Sequence, residues 1–179
     1  MKKIPTIFKR DEIKRNLVTQ DPHPECDWVF NGEGVATRKW DGTCCMIRDG
    51  KLYKRYDAKH GKIPPPNFEP AQDPDPITGH QPGWILVGDG PEDKWFREAP
   101  SPGHDGTFEL VGPRINGNPE GFESHALVAH GYLQLDAPRT FDELKQYFKG
   151  KDIEGIVWHH PDGRMSKIKK KDFGLGRKE

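Results

Sequence analysis

Short apolar runs set apart by glycine, proline and aspartate dominate the chain, and most of them alternate as half-buried strands do. Val35 to Arg38, Cys44 to Arg48 and Lys51 to Tyr56 each read as a strand, and Asp49-Gly50 between the last two is a two-residue hairpin signal. Lys39 to Gly42 then falls in the turn between two strands. The same pattern predicts strands at Gly106 to Val111 and Ala126 to Leu135, separated by the Gly/Asn/Pro-rich stretch Gly112 to Gly121. Gly155 to Trp158 and Met165 to Lys169 read as a second hairpin turned at Asp162-Gly163. Helical spacing is rarer. Phe8, Ile13 and Leu17 predict one short helix within Ile7 to Leu17. Phe141, Leu144, Tyr147 and Phe148 predict another, opened by a Thr140/Glu143 capping box and ended at Gly150.

Composition sharpens this into a fold class. The chain has 179 residues, 32% apolar and 31% charged, with 20 Gly and 17 Pro. Many turns and short elements favour an α+β design of antiparallel sheets with a few flanking helices, and the length fits one domain over residues 1–179. Ten prolines lie between Pro64 and Pro102. Residues 63–105 therefore read as a Pro-rich insertion or flap, with regular pairing expected only around Gly83 to Gly88. Trp84, Trp95 and Phe96 make it an ordered one, because large aromatics are uncommon in linkers. No apolar run approaches the length of a membrane span, and Met1 to Lys9 lacks the apolar stretch of a signal peptide. A soluble, cytoplasmic monomer is the expectation. Cys26, Cys44 and Cys45 lack metal-ligand spacing and are expected to be reduced thiols, and no pair of histidines has zinc spacing. The 28 basic and 28 acidic residues cancel, so a nucleic-acid footprint would have to be local. Arg164, Lys167, Lys169, Lys170, Lys171, Arg177 and Lys178 supply such a cluster.

A lone Lys-x-Asp-Gly turn carries little information, but here it has company. Lys39-Trp-Asp-Gly42 is followed by Lys54-Arg55, Phe108-Glu-Leu-Val-Gly112, Glu154-Gly-Ile-Val157 and Lys167-Ile-Lys169. This order resembles motifs I, Ia, III, IV and V of the covalent nucleotidyltransferases, the superfamily of ATP-dependent ligases and mRNA capping enzymes. Thr43-Cys44 stands where DNA ligases and capping enzymes usually carry an Arg two residues after the motif I glycine. The run Phe108 to Pro119, with His125 and His130, is similar to a small RNA ligase family that joins 5′-phosphate and 3′-hydroxyl ends. The resemblance implies a ligase-type adenylation domain, related in build to ATP-grasp proteins, with the nucleotide in a cleft between sheets. It implies ATP as AMP donor, Mg²⁺ or Mn²⁺ as cofactor and RNA as partner, in a repair reaction through lysyl-AMP.

Residue chemistry agrees with the roles so implied. A lysine attacks only when neutral, so the catalytic Lys39 needs neighbours that disfavour its proton, and Lys167 and Lys169 share one strand face from which they can do this. Both also suit a phosphate. Gly42 lets backbone pass close to a ligand, while Asp41 can orient the turn. Arg55 offers a planar fork of donors to ribose or phosphate. By resemblance Glu109 meets the ribose, and Glu154 contacts the nucleotide site and helps place the metal. A DNA ligase, a capping-type enzyme and a catalytically silent RNA-binding module remain as alternatives at this level.

Overall fold

The computed structural model describes residues Met1–Glu179. Its strands are β1 (Phe8–Arg10), β2 (Val18–Pro22), β3 (Val35–Lys39), β4 (Thr43–Arg48), β5 (Lys51–Ala58), β6 (Glu69–Pro70), β7 (Gln81–Leu86), β8 (Gly106–Val111), β9 (Ala126–Ala129), β10 (Gly155–His159) and β11 (Met165–Lys169). The helices are α1 (Asp27–Phe30), α2 (Lys94–Glu98) and α3 (Phe141–Phe148). The fold is α+β, and the chain divides into two compact units. The first holds Met1–Lys3 and Asp41–His130, the second Ile4–Trp40 and Gly131–Glu179.

The first unit is built on a six-stranded antiparallel sheet in the order β6-β7-β5-β4-β8-β9. Asp49 and Gly50 join β4 to β5 with φ of 52° and 70°, the two positive values that match the strand twist in a tight hairpin. Alternation along β4 sends Cys45 and Ile47 into a core with Phe96, Ala99, Phe108, Leu110 and Ile115. Phe96 comes from α2, inside the Pro-rich segment, and helps close that core.

The second unit carries the antiparallel sheet β11-β10-β3 and the pair β1-β2. Trp158, Ile156 and Ile168 point from the larger sheet into a core that receives Leu144 and Phe148 of α3. Phe8, Phe141, Phe148 and Phe173 interlock there, with ring centroids 5.0 to 6.4 Å apart in the pairs that touch. Asp142 and Glu143 in the first turn of α3 complement the helix dipole. No helix is long and apolar enough to cross a membrane.

Several elements depart from the sequence expectation, each for a local reason. Ile7 to Leu17 is not a helix. Asp11 accepts hydrogen bonds from the backbone N–H groups of Ile13 and Lys14 at 2.9 and 2.7 Å, forming a turn that folds β1 back onto β2 and leaves Ile13 92% exposed. Residues 126–135 form only the short strand β9, because Gly131 takes a left-handed φ of 80°. Thr140 does not close a capping box; its hydroxyl donates to the Glu143 carboxylate at 2.5 Å in place of accepting from backbone. The Pro-rich segment holds more structure than expected, since α2 follows β7. Lys39 to Gly42 does fall between two strands as expected, with Lys39 the last residue of β3, and those strands belong to different sheets.

Leu144 is 0% exposed at the centre of the second unit's core. Leu144→Ala should cost ~2–5 kcal/mol, read as a lower urea midpoint at unchanged slope.

Candidate active site

Three adjacent strands of the second unit bring four of the predicted residues together. Gly155 on β10 is in register with Lys39 of β3 on one side and Lys169 of β11 on the other. Lys167 lies two residues back on β11, opposite Val157, and so shares a face with Lys169. Glu154, just before the glycine, receives both terminal amines. Lys39 Nζ donates to Oε2 and Lys169 Nζ to Oε1, each at 2.6 Å. The three side chains are only 13–23% exposed, so screening by water is weaker than for a surface pair.

Gly155 permits this spacing. A Cβ there would overlap the carbonyl oxygen of Ile168 and lie 2.9 Å from Lys169 Cα. Burial would push the Glu154 carboxyl upward, but the charges and hydrogen bonds of Lys39 and Lys169 outweigh it and hold the group below its ordinary range. Lys167 moves the other way for a base: burial first, then the nearby Lys39 and Lys169 cations, bring it down to about 8.

The edge strand β11 is fixed along its length. Lys167 N–H donates to Pro5 O at 2.9 Å and its carbonyl accepts from Ile7 N–H at 3.0 Å. Lys169 N–H donates to the buried Asp172 carboxylate at 2.8 Å, and Arg10 holds that carboxylate at 2.7 Å. Lys170, 1% exposed, turns away and donates to the carbonyls of Lys151, Arg177 and Glu179 at 2.5 to 2.8 Å.

The other four predicted residues lie in the first unit. Glu109 on β8 is the register partner of Cys44 on β4, and the pairing of Cys45 with Lys54 brings Arg55 level with Cys44. The Gly42 N–H donates to Glu109 Oε1 at 3.2 Å. A Cβ on Gly42 would overlap the Leu110 carbonyl oxygen, so only glycine lets this turn lie against β8. Arg55 stacks over Trp84 at 5.0 Å and donates to the Met1 carbonyl at 2.5 Å. Asp41 N–H donates to Glu120 Oε1 at 2.8 Å, and Asn116 Nδ2 donates to both Asp41 Oδ1 and the Gly42 carbonyl at 3.1 Å.

The sequence resemblance included Asn116 and His130 without giving either a role, and it did not reach Glu120. His130 bridges Glu109 Oε2 at 2.8 Å and Thr107 Oγ1 at 3.0 Å. The signal for Asn116 was its Ile-Asn-Gly-Asn turn, where Asn tolerates the observed left-handed φ of 50°. One cluster could hold a cation, the Cys44, Glu109 and His130 set, whose ligand atoms lie within 4.8 Å of one another.

Comparison with known proteins gives a consistent answer. Residues 102–178 match a family model described as RNA ligase 1, a region that holds Glu109, Glu154, Lys167 and Lys169 but starts after Lys39. The chain is 40% identical over 80 residues to RNA ligase 1 of Danio rerio, a match covering 38% of this chain and 24% of that protein. It is 28% identical over 225 residues to RNA ligase 1 of Rattus norvegicus, covering 82% of this chain and 69% of that protein. RNA ligase 1 of Pongo abelii is 28% identical over 219 residues, with coverages of 79% and 67%. These matches make the chain similar to RNA ligase 1 proteins, over residues 102–178 for the family model and over 82% of the chain for the Rattus norvegicus protein.

Proposed function

We propose that this chain is an ATP-dependent RNA ligase in which Lys39 carries AMP. The observation that supports this best is the sharing of one partly buried carboxylate by Lys39 and Lys169, with Lys167 beside them on the same face. Three amines and one carboxylate leave a local excess of positive charge suited to a polyphosphate.

In the first step the lone pair of Lys39 Nζ attacks the α-phosphorus of ATP. The N–P bond forms as the P–O bond to pyrophosphate breaks, and the amine loses its proton. Lys167 and Lys169 disfavour the ammonium form of Lys39 by like charge and neutralise the phosphate as it develops charge. AMP then passes to an RNA 5′-phosphate, and a 3′-hydroxyl displaces it to seal the strand. Each displacement is in line, so the protein contributes chiefly position and charge.

Magnesium fits the second unit's donor set, because a hard cation takes one carboxylate with water and phosphate oxygens, and Glu154 is the carboxylate that would hold it. When bound, the ion supplies charge neutralisation on the phosphates and draws on carboxylate charge that otherwise favours a proton on Lys39. In the first unit we assign the ribose contact to Glu109, a ribose or phosphate contact to Arg55, and close backbone approach to Asp41-Gly42. These three roles rest on the motif resemblance and on the hydrogen bonds that hold the Asp41-Gly42 turn.

Purified protein given ATP labelled on the α-phosphate should take up one AMP on Lys39, located by mass spectrometry. Lys39→Ala should abolish uptake, and an unlabelled wild-type chain shown free of prior AMP would refute the reading.

Lys167 gives a pH test. Its folded value near 8 lies below the ordinary lysine value of ~10.4, so between the two the unfolded chain binds a proton the folded chain has shed. Unfolding then takes up protons, and stability from this group rises with pH across that window. Melting temperatures of wild type relative to Lys167→Met should climb from about pH 8 to about pH 10; a flat difference would mean Lys167 titrates normally.

For substrate choice, RNA with a 5′-phosphate and a 3′-hydroxyl should be sealed, and matched strands with deoxy 3′-terminal nucleotides should be sealed much more slowly. The 2′-hydroxyl is the group available for discrimination, as both donor and acceptor. Equal sealing rates, at equal adenylation rates, would remove the RNA specificity.

A further inference from the structure

We propose that Cys44, Glu109 and His130 form a binding site for a single zinc-class divalent cation in the first unit, separate in chemistry from the magnesium assigned to Glu154. The three come from separate segments: Cys44 from β4, Glu109 opposite it on β8, and His130 just after β9. Their Sγ, carboxylate oxygen and ring nitrogen lie within 4.8 Å of one another, and Glu109 Oε2 and His130 Nε2 are already 2.8 Å apart. Zinc takes sulfur at ~2.3 Å and nitrogen or oxygen at ~2.0–2.2 Å in a tetrahedron, which sets ligand edges of roughly 3.3–3.6 Å. Side-chain adjustments on the order of 1 Å from the 4.8 Å envelope meet that geometry.

The surroundings are those of a ligand set, because two of the three side chains are oriented from behind. His130 Nδ1 faces Thr107 Oγ1 at 3.0 Å, and Glu109 Oε1 accepts from Gly42 N–H at 3.2 Å, which turns Nε2 and Oε2 toward the same point. Coordination uses the Nε2 lone pair, leaving the ring proton on Nδ1, where Thr107 accepts it. Cys44 binds as thiolate and releases its proton to solvent; Glu109 binds as the carboxylate. Three protein ligands leave a fourth position for water or a substrate oxygen. Thiolate and imidazole select zinc-class ions over magnesium, whereas Glu154 offers oxygen alone. An occupied site takes up the Glu109 oxygen proposed to meet the ribose, so the loaded protein is a distinct state.

The test is titration of the full chain with cobalt(II), followed by absorption. One equivalent should produce a near-ultraviolet sulfur-to-cobalt band together with visible bands of tetrahedral intensity, displaced by one equivalent of zinc. Cys44→Ser should abolish the sulfur band although Cys26 and Cys45 remain. Thr107→Val, which touches no metal, should weaken cobalt binding ~10-fold or more while the band at saturation stays. Circular dichroism of each sample checks folding, and the Thr107→Val titration decides the matter if Cys44→Ser is unfolded. A wild-type protein without the band at saturating cobalt, a band that survives Cys44→Ser in a folded chain, or unchanged affinity in Thr107→Val would overturn the site.

Discussion

The carboxylate of Glu154, shared at 2.6 Å by amines arriving from the strands on either side, is the interaction on which the second unit's lysine face depends. Two like charges ~4 Å apart repel by roughly 4 kcal/mol at an effective dielectric near 20. Amines gathered on one sheet face would therefore shed protons or turn away from each other without an anion among them. Glu154 answers that repulsion for Lys39 and Lys169, while burial, and then these two cations, bring the Lys167 amine down to about 8. Partial burial makes the arrangement specific, because a carboxylate left in this place without its amines would be expensive. Backbone bonds from Pro5 and Ile7 and the buried Asp172 and Lys170 anchors hold the edge strand against the pull of these charges.

The first unit solves a different problem, which is to hold a tight turn and a carboxylate in fixed geometry. Asn116 and Glu120, from the loop after β8, fasten Asp41-Gly42 through its backbone and side chain. Gly42 in turn fastens Glu109, and His130 closes the chain of contacts at Thr107. Each polar group satisfies the next, so loss of one member would leave its partners unpaired at a cost of ~1–3 kcal/mol per group. In the proposed reaction such rigidity serves positioning, the larger part of what a protein can offer to phosphoryl chemistry.

Much of this was legible in the order of residues, and what was not has a physical cause. Both Asp-Gly hairpins could be read because that dipeptide favours tight turns, and alternation along β11 puts Lys167 and Lys169 on one face. The partnership of Glu154 with both lysines could be read only through the motif resemblance, since residues 39, 154 and 169 meet through sheet pairing across long sequence distances. The helix expected at Ile7 to Leu17 failed because three apolar residues at helical spacing are outweighed by one aspartate that turns the chain. His130 and Asn116 could be placed in a resemblance but given no role, for a related reason. A loop side chain declares nothing by periodicity, and its role depends on where the loop returns.

Gly155 has no functional group, yet it separates the two amines, and its neighbours leave no room for even a methyl group. An inventory of charged and nucleophilic side chains would pass over it. For engineering this matters, because altering the lysines changes the charge of the face, whereas filling the vacancy between them forces the strands apart and removes the face itself. The position is thus a better place than any of the ionisable residues from which to judge whether a distant sequence with similar lysines can build the same surface: a larger residue there implies a different backbone, whatever amines surround it.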